Sequence, residues 1–454
     1  MVVAKVISLA MLDSERRCDA EHITAPVLIT KDYQYGRDVI DFTQYGTSKS
    51  LNERNKGFPV LRLNEFESMF IQFPEKHCDL ISESTYRQLR LRKGDVLTCR
   101  TNGNPHLVGR TAVVMEDTDC AYASYVFKIR ANTKILPEVL AVYLNGKYGR
   151  SEIERHQMIS IQTNFSPERF KRCRVPCLSS AFQETICRMV NEAYVCLKQS
   201  TALYADAEEH LLRALGLNGF MPPDPKVSVK GLAESFRSTG RIDAEYYQRK
   251  YEETEKALNT LHTVKKLCRI HDSVFVPRKG NYKYIELADI GTSGNIIGCT
   301  VAAFDELPSR ARRRVKRRQV IVSSIEGSLA SCALITDDYH DAICSTGFYV
   351  VDSSEINPET LLVLFKSAPM QTLMKKRCSG TILTAMSKSA FEEMPLPPVA
   401  TDAQQRIAAQ VRRSFELRQK SERMLEAAKQ AVEVAIESGE PDAANWIRTI
   451  NVNR

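Results

Sequence analysis

The chain of 454 residues is short of the features that would give it a reaction or a membrane. No apolar run approaches the 18 or so residues of a spanning helix. The apolar opening, residues 1–12, lacks a basic start and a small-residue cleavage site, so it reads as a strand or arm rather than a leader. There is no Gly-x-x-x-x-Gly-Lys loop, and no glycine-rich turn leads from a strand into a helix, which argues against a nucleotide site. Gly291-Thr-Ser-Gly294 is a turn signal only. An Asn/Asp-Pro-Pro-aromatic motif of adenine methyltransferases is absent; Met221-Pro-Pro-Asp-Pro225 is linker, and no strand carries the nuclease-like fragment Pro223-Asp-Pro-Lys226. The 13 cysteines form no Cys-x-x-Cys pair, and the eight histidines, His22, His106 and His340 among them, have no ligand spacing, which argues against zinc and for reduced thiols in the cytoplasm. No acid, base and nucleophile group together, so the chain reads as non-catalytic.

What remains is a soluble composition, 43% hydrophobic and 26% charged, with a net charge of +8 that is compatible with a polyanionic partner. The length calls for more than one domain. Arg17-Cys-Asp-Ala-Glu-His22 recurs as Arg241-Ile-Asp-Ala-Glu-Tyr246, roughly 224 residues on. At nearly the same offset Lys93-Gly-Asp-Val-Leu97 meets Arg317-Arg-Gln-Val-Ile321, and Leu136-Pro-Glu-Val-Leu140 meets Asn357-Pro-Glu-Thr-Leu361. Asn164-Phe-Ser-Pro-Glu-Arg-Phe170 meets Met386-Ser-Lys-Ser-Ala-Phe391, and a long helical pattern begins near Gln183 and again near Gln404. Five matches in one order make the chain a tandem repeat.

Within each half, short strands are predicted at 59–63, 95–99 and 125–130, and at 284–290, 319–325 and 347–351. Proline-opened helices are predicted over 136–154 and 357–376. Each half then ends in a stripe at spacings of three, four and seven: Ile186, Val190, Tyr194, Leu197, Leu203, Ala207, Leu211, Leu215, and Ile407, Val411, Phe415, Met424, Ala428, Val432, Ala435. Gly216 and Gly439 are the expected stops. A lone helix of this length, about 50 Å, has little to bury against, so the two are expected to pair antiparallel. The predicted architecture is α+β: two tandem globular domains joined by two long antiparallel coiled-coil helices, with a pseudo-two-fold. Boundaries fall at 1–176 (first domain), 177–218 (first helix), 219–398 (second domain, with linker 219–230), 399–438 (second helix) and 439–454 (tail). Duplex DNA shares that pseudo-symmetry, so one chain would imitate a dimeric reader with unequal half-sites and an unread gap.

The order of motifs resembles the specificity subunits of Type I restriction-modification enzymes over nearly the whole chain. Tyr45-Gly-Thr-Ser48 with Gly57-Phe-Pro-Val-Leu-Arg62 looks like the family's opening segment, and residues 94–102 with Leu107-Val-Gly-Arg-Thr-Ala112 like its central strand and loop. Residues 320–328, Cys344-Ser-Thr-Gly-Phe-Tyr349, and Tyr204 to Leu212 ending Leu215-Gly-Leu217 extend the likeness. Departures are Arg318-Gln319 for the usual Gly-Asp, and Val175-Pro-Cys-Leu178 where the second half has Pro395-Leu-Pro-Pro398. The resemblance implies double-stranded DNA as ligand, two adenine-N6 methyltransferase subunits and a motor-nuclease subunit as partners, and S-adenosylmethionine on the methyltransferase, with no cofactor or metal on this chain. The alternatives are a related phage-defence or orphan methyltransferase system, or a coiled-coil scaffold that does not bind DNA.

Phosphate contacts need cations and small polar donors, and base edges need bidentate side chains. The candidates are Tyr45, Thr47, Ser48, Lys49, Arg62, Arg100, Thr101, Asn102 and Arg110 in the first half. In the second they are the basic-aromatic loop Lys279, Asn281, Tyr282, Lys283, then Ser324 and Ser328 after a strand, with Ser331 nearby. Arg100 suits guanine and Asn102 adenine. Arg310-Ala-Arg-Arg-Arg-Val-Lys-Arg-Arg318 supplies Arg313, Arg314 and Lys316, either as a solvated face or as phosphate contacts.

Overall fold

A computed structural model describes Leu28, Thr30 and residues 32–158, 163–223, 225, 227–380 and 384–450. The opening arm, the 17–22 copy of the repeat, and Asp224 and Lys226 of the linker lie outside the described residues. Packing divides the chain into two compact units, Met1–Lys198 with Arg418–Arg454, and Gln199–Leu417. The expected α+β class is present as two sheet-rich units and two long helices, one of 35 residues and one of 38.

In the first unit β1 (Ile40–Tyr45), β2 (Asp95–Cys99), β3 (Thr111–Val113) and β4 (Val126–Ala131) form an antiparallel sheet in the order β1-β4-β2-β3. In the second unit β5 (Arg269–His271), β6 (Val320–Ser323), β7 (Cys332–Leu334) and β8 (Phe348–Asp352) repeat that order as β5-β8-β6-β7. The central strands are buried along their length because both faces are covered. Val96 of β2 enters the cluster of Val139 and Leu140, whereas Leu97 and Cys99 face Val60 and Tyr122. In β6, Val320 and Val322 face Leu361 and Phe365 while Ile321 faces Ile285 and Cys344.

The second layer also repeats. A parallel pair, Val60 beside Ala121, recurs as Tyr284 beside Ile343. In the second unit that small sheet has four strands, Thr300–Ala303, Asn281–Ile285, Ile343–Ser345 and Ala311–Arg314 in that order. Residues 281–283, expected in a loop, are therefore in a strand, paired with residues 301–303, and part of the 310–318 basic run is a strand as well.

Each helix predicted over 136–154 and 357–376 is in fact two. Pro137–Asn145 and Lys147–His156 meet at Gly146, and Pro358–Lys366 and Ala368–Lys376 meet at Ser367; both junction residues are extended. At Ser367 the cause is Pro369, which cannot bond back one turn. In the first unit the tight corner needs Gly149, where a Cβ would lie 2.0 Å from the Tyr143 carbonyl oxygen.

The long helices are α1 (Ser180–Ala214) and α2 (Thr401–Ser438). Gly216, at φ +71°, closes α1, with the Leu217 amide donating to the Leu212 carbonyl at 2.7 Å. Past Gly439 a further helix, Glu440–Thr449, follows directly. Phe182, Ile186, Val190 and Ala193 of α1 share the first unit's core with Met424, Ala428, Ala431 and Val432 of α2. In the second unit Tyr204, Ala207 and Leu211 meet Ile407 and Val411. There the Ser200 and Ser414 hydroxyls lie 3.0 Å apart and His210 Nδ1 is 2.9 Å from the Gln410 side chain. Numbers rise along one segment as they fall along the other, so the two run antiparallel in that unit.

One buried glutamine anchors the head of each helix. Gln183 Nε2 donates to the carbonyls of Lys134 and Leu178 and its Oε1 accepts from the Leu136 amide, at 2.9–3.1 Å. Gln404 Nε2 donates to Glu355 and Val399 and its Oε1 accepts from Asn357, at 2.7–3.0 Å. The turn before the central strand is also matched. Asp95 Oδ2 accepts from the Arg92 amide and Gln319 Oε1 from the Lys316 amide, both at 2.8 Å. Gly94 and Arg318 precede them with φ +82° and +69°. The departure from Gly-Asp thus keeps the turn, but Arg318 holds a left-handed conformation that costs an L-residue about 1–2 kcal/mol.

Arg318→Gly is therefore expected to leave the fold unchanged and raise its stability by up to about 1 kcal/mol, after allowing for glycine's freer unfolded chain. A urea denaturation series measures it, and a loss would show that the Arg318 side chain itself contributes. Gln404→Ala strands two carbonyls and one amide in a buried place and should cost about 2 kcal/mol. Hydrogen exchange over 355–361 and 399–411 should then quicken by about 30-fold, with the first unit's protection unaltered.

Candidate nucleic-acid interface

In the first unit the sheet register places the candidates. Tyr45 at the end of β1 lies opposite Phe127 of β4, which lies opposite Thr98 of β2, so the chain leaving β2 emerges beside Tyr45. The Arg100 guanidinium carbon is 5.1 Å from the Tyr45 ring centre. Tyr45, Thr47, Ser48 and Lys49 line one side of an open depression of about 550 Å³, with the helix Glu83–Leu89 opposite. Thr47 itself is buried, its amide on the Tyr122 carbonyl and its hydroxyl accepting from the Lys49 amide. Ser48 and Lys49 are exposed at the rim.

The others in this half are engaged by the fold. Thr101 and Asn102 form a short strand against Thr163–Asn164; the Thr101 hydroxyl donates to the Thr163 carbonyl at 3.1 Å, and Asn102 Oδ1 accepts from the Asn104 amide at 2.8 Å. Arg62 Nη2 pairs with Glu65 Oε1 at 2.5 Å; burial works against the guanidinium, yet Glu65 outweighs it and holds Arg62 above its ordinary range. Arg110 donates to the Phe66 carbonyl at 3.1 Å and is held below the usual range by burial.

In the second unit a different set converges. Tyr282 packs edge-on to Phe275 at 5.8 Å, its hydroxyl on the Arg278 carbonyl. Arg314 also lies over Phe275, at 5.3 Å, and pairs with Asp341 at 2.9 Å. Lys283 Nζ donates to the Asp338 carbonyl at 2.7 Å. Arg313, one residue back, faces Tyr349 of β8, its guanidinium 5.7 Å from the ring centre. Lys279, Asn281 and Lys316 are exposed. Ser324 is buried, with its hydroxyl on the Gly347 carbonyl at 2.9 Å, and Ser328 closes a short turn, Glu326–Ser328. The Ser331 hydroxyl bonds the Leu287 carbonyl at 3.2 Å.

Two aromatic supports, Phe275 and Tyr349, were not among the sequence-based candidates. Tyr349 lies in a different sheet from Arg313, and Phe275 lies outside the strands with its amide on the Arg312 carbonyl, so no local pattern announces either.

Elsewhere in the first unit Glu152, His156 and Cys173 offer ligand atoms within 4.8 Å of one another. Arg174 already grips Glu152 through its own amide and its guanidinium, at 2.8–3.1 Å, and burial together with the Glu152 charge pushes the Cys173 thiol well above its usual range. The cluster works as a buried ion pair, and a cation entering it would have to displace Arg174. The described cysteines are free thiols, most of them buried. No helix among the described residues is long and apolar enough to cross a membrane.

Because Arg62 is held by Glu65, Arg62→Ala should lower folding stability by about 1 kcal/mol. Lys49→Ala and Lys316→Ala should stay within about 0.5 kcal/mol. Urea denaturation separates the two groups, and an inert Arg62→Ala would return that residue to the open surface.

No family model and no curated protein matches the chain. Solved structures do. The S subunit of a Type I restriction-modification system from M. genitalium is 12% identical, with 92% of this chain and 99% of that one covered and a TM-score of 0.35. A chain from a structure of complex assembly and conformational transition in the type I R-M system is 15% identical, covering 91% and 100%, with a TM-score of 0.31. The HsdS subunit from Thermoanaerobacter tengcongensis is 13% identical, covering 90% and 96%, with a TM-score of 0.30. The solved structures that this chain resembles along its length are thus subunits of Type I restriction-modification systems.

Proposed function

We propose that the chain is the DNA-reading specificity subunit of a Type I restriction-modification complex, working in the cytoplasm. The observation that carries this reading is the duplication: one sheet order, one corner of two helices and one glutamine anchor occur twice in a single chain, while the exposed cations and aromatics differ between the copies. A repeated frame with unequal surfaces suits two unequal half-sites. The motifs of the central strand and loop resemble the same family. Each unit would read one half of a bipartite, asymmetric target, and the gap between would go unread. Chemistry would come from partners: two adenine-N6 methyltransferase subunits carrying S-adenosylmethionine, and a motor-nuclease subunit that cuts unmodified DNA.

The test is co-expression with an adenine-N6 methyltransferase subunit of a Type I system from the same host, followed by mapping of N6-methyladenine in host DNA. Methylation is expected at an interrupted, asymmetric motif of fixed gap and should vanish without this chain. Replacing residues 1–176 by those of a relative should change one half of the motif only. A continuous palindrome, methylation independent of this chain, or no retention of DNA by the complex would overturn the reading, the last in favour of a scaffold.

A further inference from the structure

The two copies of the frame part company at one element. Beside the parallel pair of the first unit lies the helix Glu83–Leu89, whose Tyr86 and Leu89 share a cluster with Ala121 and Tyr122. Beside the parallel pair of the second unit lies a strand instead, Ala311–Arg314, paired with Ile343–Ser345. Each of these elements is the last before the central strand of its unit. A frame that repeats cannot tell unequal half-sites apart, so the distinction belongs to the parts that do not repeat.

The helix is held firmly. At its start Ser82 Oγ accepts from the Thr85 amide at 3.2 Å, and past its end the Leu91 amide bonds the Cys120 carbonyl at 3.0 Å. Tyr86 stacks on Phe58, with ring centres 4.1 Å and planes 11° apart, and its hydroxyl donates to Asp119 at 2.7 Å. Ser84, Arg87 and Gln88 are exposed. Arg87 is paired with Glu83, and the Ser84 hydroxyl lies 2.9 Å from that of Ser82. The Gln88 side chain makes no hydrogen bond among the described residues, and its amide is open to solvent.

Gln88 and Thr85 line the depression of about 550 Å³ across from Ser48 and Lys49. That far wall is rigid too. A Cβ on Gly46 would lie 2.3 Å from the Tyr122 carbonyl oxygen, and the Ser124 amide bonds the Thr47 carbonyl at 2.8 Å. One side thus offers a primary amide, the other an exposed hydroxyl and an ammonium. Hydroxyl and ammonium suit phosphate oxygens. A glutamine amide sets an acceptor beside a donor, the complement of N6–H and N7 on the major-groove edge of adenine. Other candidates in this half are less free. Arg62 pairs with Glu65, Arg110 holds the Phe66 carbonyl, and Asn102 Oδ1 accepts from the Asn104 amide.

We infer that Gln88 reads an adenine in the half-site recognised by the first unit, while Ser48 and Lys49 hold the adjoining phosphates. This role rests on the specificity-subunit reading above. It falls to a residue that was not among the sequence-based candidates.

The test uses the chain co-expressed with its methyltransferase subunit, the first unit's half-site being identified by the exchange of residues 1–176. That half should contain an A·T pair besides the one that is methylated. Gln88→Ala should lower discrimination at that pair by about 10- to 100-fold, with the other half and the gap unchanged. Gln88→Glu should turn the preference there toward cytosine, whose N4 amino group donates to a carboxylate. Lys49→Ala should instead slow methylation of every sequence alike and lessen its salt dependence. A half-site with no second A·T pair overturns the inference before any variant is made. A Gln88→Glu protein that still selects adenine overturns it as well. So does Gln88→Ala if the motif is unaltered, or if methylation slows equally at every site as a phosphate or packing role would have it. Failure of the underlying reading looks different: no interrupted motif that depends on this chain.

Discussion

Each long helix depends on one primary amide. A glutamine side chain offers two N–H donors and one carbonyl acceptor, and Gln183 and Gln404 use all three on backbone groups of the segment before the proline-opened helix and of the helix's own approach. All six bonds are at least partly buried, so the geometry has little slack. The amide therefore fixes the direction in which the helix leaves the unit, and it does so against the same helix that covers the central sheet. Tyr45 and Arg313 sit on strands of that layered stack and Arg100 directly follows one, so their positions inherit the constraint. Asn357 adds to the second copy, its side chain capping the Thr360 amide at 2.8 Å while its own amide serves Gln404.

Much of this frame was legible in the sequence because it is carried by period and punctuation. The stripes from Ile186 and from Ile407 are one face of a helix whatever surrounds them, and Gly216 ends the first with the positive φ that only glycine adopts cheaply. The strands at 95–99 and 320–323 showed as apolar runs because both their faces are buried. The split of each predicted helix pair was not legible to the same degree. Gly146 and Pro369 punctuate the two windows, but a glycine within a helix or a proline at its start need not break it, and the first corner closes because Gly149 lets the Tyr143 carbonyl approach.

Side-chain roles were hardest to read, since they are set by the partner and not by the type. Arg62 belongs to a local ion pair that its spacing to Glu65 could have signalled, three residues on in a short turn. Ser324 looked like a loop donor and is buried against Gly347 of the neighbouring strand's turn, a residue distant in sequence. Arg313 and Arg314 are adjacent letters of one basic run, yet strand geometry sends one toward Tyr349 and the other toward Phe275 and Asp341. A run that reads as undifferentiated charge is thus divided by the sheet into residues with different environments.

The two copies also show which bonds the frame needs and which it does not. Before the central strand, Asp95 and Gln319 are different residues that accept the same backbone amide at the same distance. The Gly94 amide bonds the Val114 carbonyl and the Arg318 amide bonds the Ile335 carbonyl, both at 2.9 Å, although one residue is strain-free there and the other is not. What persists is the hydrogen bond to the main chain. The residue providing it can change in charge, and Asp95 in turn is tied to Arg130 at 2.5 Å while Gln319 reaches Asp352 at 3.2 Å. A frame held by backbone bonds and buried amides tolerates divergence in whatever projects from its outer strands. That separation of frame from surface is what allows one fold, repeated in one chain, to present two different faces.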